Sequence, residues 1–403
     1  MMLGYLLARK GVDVVVLEKH EDFLRDFRGD TVHPSTMNIL DDLSLLDAFL
    51  SNPHDRVHAA SVELDRRVYQ LSSFAMVPSR APFIAMMPQW DFLNFLASEA
   101  AKFRNFCLLM STKATALLHE SGPLSRVCGV RTEAGQEIRC HLVVGCDGRR
   151  STIRQLSGLP STPFGVPIDV LWFRIARRAE DESGGMGKLR AGSMLVLIPR
   201  NDYWQCAFLI RKGTFESDIQ ARGLPAFREA LCRLCPSFDG RLEEGLTDWS
   251  QVFLLSVQID RMETWFRDGL LCIGDAAHAM SPVGGVGVNL AVQDAVATAN
   301  LLGDTLAQNR ACDLGLLAAV QARRMLPTRI IQWMQRFVQE RLVNSVLLPD
   351  SSSSEERLLD QNAASLPWSM TLFPTLFNWC PPLRWFLGYA LGIGFRAERV
   401  NHN

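Results

Sequence analysis

The chain has 403 residues, a formal net charge of -1, and 48% hydrophobic and 21% charged residues. That is enough chain for two or three packed units with a large core, in the balance of an ordinary soluble globular protein. Lys and Arg are scattered rather than striped, which argues against nucleic acid as a partner.

Residues 1–11 carry no basic n-region and no small-residue cleavage site, so they read as a domain helix and not as a signal peptide. Helical pattern over 4–10 ends at Gly11, and a β-branched strand over 13–17 closes on Glu18. Such a helix and strand, with an acid at the tip, form the second half of a βαβ dinucleotide-binding unit. The first half, a buried strand and a G-x-G-x-x-G turn, is expected in frame before Met1. Without that central strand, severe destabilisation and weakened cofactor binding are expected.

A strand-like run at 58–71 is expected to join a sheet formed further along. "HLVVGCDGRRSTIR" at 141–154 reads as a strand ending on Asp147, a Gly148 turn, and a helix capped by Ser151 that carries Arg154. From about 160 to 265 the pattern changes to strands, with "GSMLVLIP" and "YWQCAFLIRKG" joined as a hairpin and the helix "LPAFREALCRLC" beside them. Cys232 and Cys235 make the one C-x-x-C. Zinc would need two further ligands and a redox role a thioredoxin-like unit, so two cysteines on a helix before Pro236 is the simpler reading. The ten cysteines, without secreted-scaffold spacing, point to a reducing, cytoplasmic setting.

The strongest local signal is "DGLLCIGDAAHAMSPVGGVGVNLAVQDAVATANLL", 268–302. A buried strand over 270–273 ends in Gly274–Asp275, where a carboxylate can accept hydrogen bonds from sugar hydroxyls. Pro282, Gly284, Gly285 and Gly287 then make a loop that lets backbone amides approach a ligand closely. A helix follows from about Val288, with its positive dipole end towards that ligand. Beyond it, helical periodicity is expected to break near Pro327. "DSSSSEER" at 350–357 reads as an exposed linker. The Trp- and Phe-rich C-terminal run is cut by Pro367, Pro374, Pro381 and Pro382. It therefore reads as short helices packed on the body, with membrane-surface or partner contact as the other reading.

In order, Glu18, Arg28 in "DFRGDTVHPST", D-G-x-x-S-x-x-R and G-D-A-A-H-x-x-x-P-x-G-G-x-G-x-N resemble the flavoprotein aromatic hydroxylases of the 4-hydroxybenzoate hydroxylase type. The resemblance covers about 1–325. It implies an α/β fold: a Rossmann-like FAD-binding domain, an inserted antiparallel-sheet substrate domain and C-terminal helices. The expected divisions are 1–57, 72–158 and 266–325 for FAD, 58–71 and 159–265 for the substrate sheet, and 326–403 for the C-terminal segment. No thioredoxin-like extension of the phenol-hydroxylase kind follows.

By the same resemblance, FAD is the cofactor and NADH or NADPH the co-substrate. Glu18 would hold the adenosine ribose, and Arg28 would lie near the pyrophosphate and the nicotinamide route. Gln89 would contact flavin, and the backbone at Ala114 would meet adenine. Asp147 belongs to the motif linked to FAD and NAD(P)H pyrophosphate. Asp275 would bind the ribitol chain, with Pro282, Gly285, Gly287, Val288 and Asn289 along the isoalloxazine edge. The activity implied is hydroxylation of a small aromatic or related substrate through a flavin C4a-hydroperoxide, with no protein side chain as catalytic acid or base. Trp172, Arg174 and Tyr203 are substrate-side candidates, although core packing explains their aromatics equally well. Arg28 could instead be a surface arginine, Gln89 a solvated helix residue and Ala114 strand packing, and His278 reads as structural in preference to an acid/base residue. Two other functions stay open: a degenerate, non-catalytic binding module, and a flavin reductase or halogenase-type relative. The halogenase W-x-W-x-I-P signature is absent. A monomer or homodimer would serve any of these.

Overall fold

In the computed structural model, residues 1–24, 31–64, 67–122, 125–181, 186–190, 193–200, 202–342 and 375–401 are described. Arg28 and the expected linker at 350–357 lie outside them.

The first helix, Met2–Arg9, buries Met2 to Ala8 and delivers the chain through Gly11, at φ +85°, to the strand Val14–Leu17. That strand pairs in parallel with Phe106–Leu109. A separate sheet holds Val143–Gly145 in parallel with Leu270–Cys272, so the strands that end near Asp147 and Asp275 lie side by side. The central helix Gly287–Ala307 packs on the first helix and on the 274–276 turn. One core gathers these pieces, with Trp265, Leu270, Leu271 and Leu302 at 0% exposure. Removing such side chains from water supplies most of the driving force, about 1.5–3 kcal/mol each.

The middle of the chain forms a seven-stranded sheet, and the early strands Ala59–Leu64 and Arg67–Ser73 do join it. It is antiparallel except where Met186–Arg190 lies parallel to Ala59–Leu64. Strict alternation separates its faces. Leu171, Phe173 and Ile175 pack with Trp204, Cys206 and Phe208 against the helix Leu224–Leu234, forming a second core. Val170, Ala207 and Leu209 face the other way, with Trp172 against them. The hairpin Ser193–Pro199 to Tyr203–Arg211 forms as expected.

The expected break near Pro327 does not occur. A single helix runs from Leu314 to Leu342 through that proline. The cost of an interior proline, about 3 kcal/mol, is offset by the anchoring of this helix on both sides of it. Arg324 binds Asp294, and Gln332 and Gln335 bind the 279–283 backbone. The C-terminal helix Pro381–Gly392 packs on Arg67–Ser73, with Gly388 so close to Ser73 that a Cβ there would meet its carbonyl oxygen at 2.0 Å. No helix among the described residues is long and apolar enough to cross a membrane.

Candidate cofactor site

The strand Leu270–Cys272 leads into a 3-10 turn, Gly274–Ala276, with Gly274 at φ +59°. The turn is held from behind. Asp294 on the central helix accepts from the Gly274 N–H at 3.0 Å, from His278 Nε2 at 2.6 Å and from Arg324 Nε at 2.9 Å. All three side chains are at most 1% exposed. Burial pushes the Asp294 carboxyl up, but the adjoining His278 and Arg324 outweigh it and hold its pKa below the usual carboxylate value. His278 therefore takes the structural role. Its Nδ1 has no hydrogen-bond partner among the described residues, and its ring lies 4.9 Å from that of Trp265.

Asp275, on the outer side of the turn, is partly exposed and meets Arg149 from the D-G motif, Nε to Oδ2 at 3.2 Å. Arg149 Nη2 donates to the Met280 carbonyl, and its Nη1 is buried without a hydrogen-bond partner among the described residues. Asp147, by contrast, is used within its own segment. Its carboxylate accepts from Ser151 Oγ and from the Ile153 N–H, and Ser151 Oγ in turn accepts from the Arg154 N–H at 2.9 Å. The helix Thr152–Ser157 is capped as expected, and its Arg154 reaches the G-D turn through the Ala276 carbonyl at 3.3 Å, while Arg149, which the sequence reading did not single out, reaches Asp275 itself.

Pro282 begins the next turn, Val283–Gly285, with Gly284 and Gly285 at φ +81° and +64°. The central helix then starts at Gly287, carrying Val288 and Asn289 in its first turn. Asn289 is oriented by two hydroxyls: Ser35 Oγ and Thr36 Oγ1 both donate to its Oδ1. Two donors on one atom fix the amide orientation and leave its N–H₂ as the side to offer a ligand. Three glutamines of the long helix hold the loop from the other side. Gln335 bonds the Ser281 and Val283 carbonyls and the Ser281 N–H, Gln332 the Ala279 carbonyl and Gln339 the Ser281 hydroxyl.

Glycine is required at 285. A Cβ would sit 2.7 Å from Thr31 Oγ1, at a backbone angle that other residues rarely adopt. Gly285→Ala is expected to cost about 1–2 kcal/mol, read as a lowered thermal midpoint. Gly287→Ala, where the nearest atom is 3.9 Å away, should leave that midpoint unchanged or slightly raised.

Of the other sequence candidates, Glu18, Gln89 and Ala114 fall on the strand end, helix and strand expected for them. Glu18 follows its strand and accepts from the His20 N–H, Gln89 opens the helix Gln89–Ala100, and Ala114 opens the strand Ala114–His119. Trp172 and Arg174 share a face of the strand Ile168–Ala176, and the Arg174 guanidinium lies 4.8 Å from the Tyr203 ring centre. Trp172 also packs in the core on that face, so its packing role is real. Cys232 and Cys235 are free thiols at the end of the helix Leu224–Leu234. No cluster fit for a metal exists among the described residues.

A partly exposed carboxylate after a parallel strand, a glycine turn with left-handed backbone and a helix N-terminus together fit a dinucleotide carrying sugar hydroxyls and negative charge. The buried, unpartnered Arg149 Nη1 fits the same group. A flavin dinucleotide is one cofactor that such a turn and helix start could hold. The model of the FAD binding domain family matches residues 1–334, and the chain belongs to that family, the FAD-dependent aromatic monooxygenases of the 4-hydroxybenzoate hydroxylase type. It is 30% identical over 328 residues to 6-methylpretetramide 4-monooxygenase of Streptomyces rimosus, covering 80% of this chain and 77% of the relative. Over 331 residues it is 28% identical to the 12-dehydrotetracycline 5-monooxygenase/anhydrotetracycline 6-monooxygenase of the same species, covering 76% and 61%. Among solved structures, PqsL of P. aeruginosa in complex with 2-aminobenzoylacetate superposes with a TM-score of 0.71 at 23% identity, covering 85% of this chain and 93% of that one. OxyS anhydrotetracycline hydroxylase from Streptomyces rimosus gives 0.70 at 22%, covering 97% and 73%. At those identities the two structures establish the fold.

Proposed function

We propose that this protein uses NADH or NADPH and O₂ to hydroxylate a small aromatic or related organic substrate on bound FAD. The observation that carries the reading is the outward Asp275 at the G-D turn, followed by the left-handed glycine loop and the start of the central helix, in a chain of this family. The flavin, when bound, supplies the oxygen chemistry, by a C4a-hydroperoxide. The chain supplies position and electrostatics. Asp275 accepts a ribityl hydroxyl, Glu18 the adenosine ribose, and the backbone of 282–287 lines the ring edge. The N-terminus of the central helix favours negative charge on the reduced ring. Gln89 and the Ala114 backbone complete the cofactor contacts, while Asp147 acts indirectly by holding the turn that carries Arg149. Residues 1–57, 72–158 and 266–325 act as the cofactor unit, and 58–71 with 159–265 as the substrate sheet, whose face carrying Trp172, Arg174 and Tyr203 receives the ring. The relatives' names, a pretetramide and an anhydrotetracycline oxygenase, support an aromatic substrate.

The test is to load the protein with FAD and supply NAD(P)H, isotope-labelled O₂ and a broad panel of phenolic compounds. One labelled oxygen atom per product is expected. NAD(P)H consumption that yields only hydrogen peroxide across the whole panel would sink hydroxylation.

A further inference from the structure

His33 is 0% exposed, in the H-P-S-T turn that begins the helix Pro34–Asp42. Both ring nitrogens face backbone carbonyls: Nδ1 lies 2.8 Å from the Leu391 oxygen, and Nε2 lies 3.1 Å from the Gly285 oxygen. A neutral imidazole carries one N–H, so it can donate to only one of them. The Gly285 oxygen already accepts from Thr31 Oγ1 at 2.7 Å. Donation through Nδ1 makes the shorter of the two contacts and gives Leu391 a donor where Gly285 already has one, leaving the Nε2 lone pair against the Gly285 oxygen. Only the imidazolium satisfies both carbonyls. Burial opposes that form and lowers the His33 pKa to about 4, while the two carbonyls pull the other way. The groups that act on it are these two carbonyls, from the 282–287 loop and the C-terminal helix. Among the described residues, no charged side chain on those elements, on its own helix or on the central helix contributes.

The contact is thus half made, and it sits directly on the glycine loop. Resting on the reading of 282–287 as the flavin edge, we infer that His33 is a positioning residue that takes up a solvent proton when the bound cofactor becomes anionic. A hydride from the nicotinamide brings both electrons to the ring and leaves oxidised nicotinamide behind. The proton enters separately and rests on Nε2, which then donates to Gly285. When the electron pair passes to O₂, the ring's negative charge would be lost and His33 would return its proton to solvent. During the reduced interval the loop, through Gly285, and the C-terminal helix, through Leu391, are bound to one cation.

The experiment is a redox titration of the FAD-loaded protein between pH 4 and 8, compared with His33→Asn and His33→Gln. Asn places an N–H₂ near the Nδ1 position and Gln near Nε2, so each keeps one hydrogen bond and neither takes a proton. The wild-type midpoint potential is expected to climb more steeply than either variant's as pH falls towards about 4. The extra slope should be about 30 mV per pH unit, the value for one proton in a two-electron couple. A purely structural histidine would leave the three slopes parallel, and parallel slopes overturn the inference. Failure of the wild type to bind FAD would overturn the cofactor reading as well. Nitrogen NMR of the wild-type ring gives a second test that needs no variant. It should show an Nδ1–H tautomer in the oxidised protein and an imidazolium on reduction at the same mildly acidic pH. An unchanged ring on reduction would also overturn the proposal.

Discussion

Asp294→Ala is expected to destabilise the protein by about 3–5 kcal/mol, because it breaks a buried ionic cluster from one side. Among the described residues, Arg324, 1% exposed, would keep only Glu398 and the Arg396 carbonyl as partners, and His278 and the Gly274 N–H would lose their acceptor. Urea unfolding monitored by tryptophan fluorescence would show the loss as a lowered midpoint. Asp294→Asn keeps an acceptor for Gly274 but not the charge, so it should fall between wild type and alanine. The effect has a definite pH sign. The folded-state pKa of Asp294 lies below its ordinary value, so its contribution is complete above the unfolded carboxyl pKa, about 3.9. It is lost as pH falls through the lower, folded value. The gap between wild type and Asp294→Asn should therefore be full at pH 7 and narrow in strong acid. A constant gap across that range would mean that the carboxylate charge does not carry the stability.

Local features of this fold are legible in the sequence because neighbours in the chain decide them. The alternation of Leu171, Phe173 and Ile175 with Val170 and Trp172 predicts a two-faced strand, and Ser151 before T-I-R predicts a capped helix. The G-D turn, its glycines and the helix after them are local in the same sense. What was not legible depends on distant partners. His33 meets Leu391 across 358 positions, Asn289 is oriented by Ser35 and Thr36, and Arg149 reaches Asp275 across 126. The long helix shows why periodicity misled at Pro327. Its buried stripe is apolar only at first, at Leu317 and Val320, and then turns mostly polar, with Arg324, Thr328, Gln332, Gln335 and Gln339 inward beside Ile331, while Leu326 and Trp333 point out at 56% and 64% exposure. Those inward amides bond loop backbone, so the helix is stabilised by contacts that an apolar-periodicity reading scores against it. A run of glutamines at helical spacing was the available signal.

Asp275→Ala is expected to weaken FAD binding about 10- to 150-fold, corresponding to the ~1.5–3 kcal/mol of a hydrogen bond to a charged group. Titration of FAD fluorescence with the protein measures it directly. The carboxylate is partly exposed, engages only the Arg149 side chain among the described residues, and lies on a turn fixed from behind by Asp294. Its removal should therefore affect the ligand more than the fold, and the thermal midpoint of the apoprotein should move little. Asp275→Asn retains an acceptor and should lose less affinity than alanine. Arg149→Met combined with Asp275→Asn tests their coupling: the two losses should fail to add, because each substitution removes the same pair. The paired change Cys232→Ser with Cys235→Ser provides the comparison, since those thiols end the helix Leu224–Leu234 and belong to the second core. It should leave FAD affinity unchanged even if Cys235, 1% exposed, makes the fold less stable. Equal loss of FAD in the Asp275 and cysteine variants would show that affinity follows general stability and that the cofactor does not lie at the G-D turn.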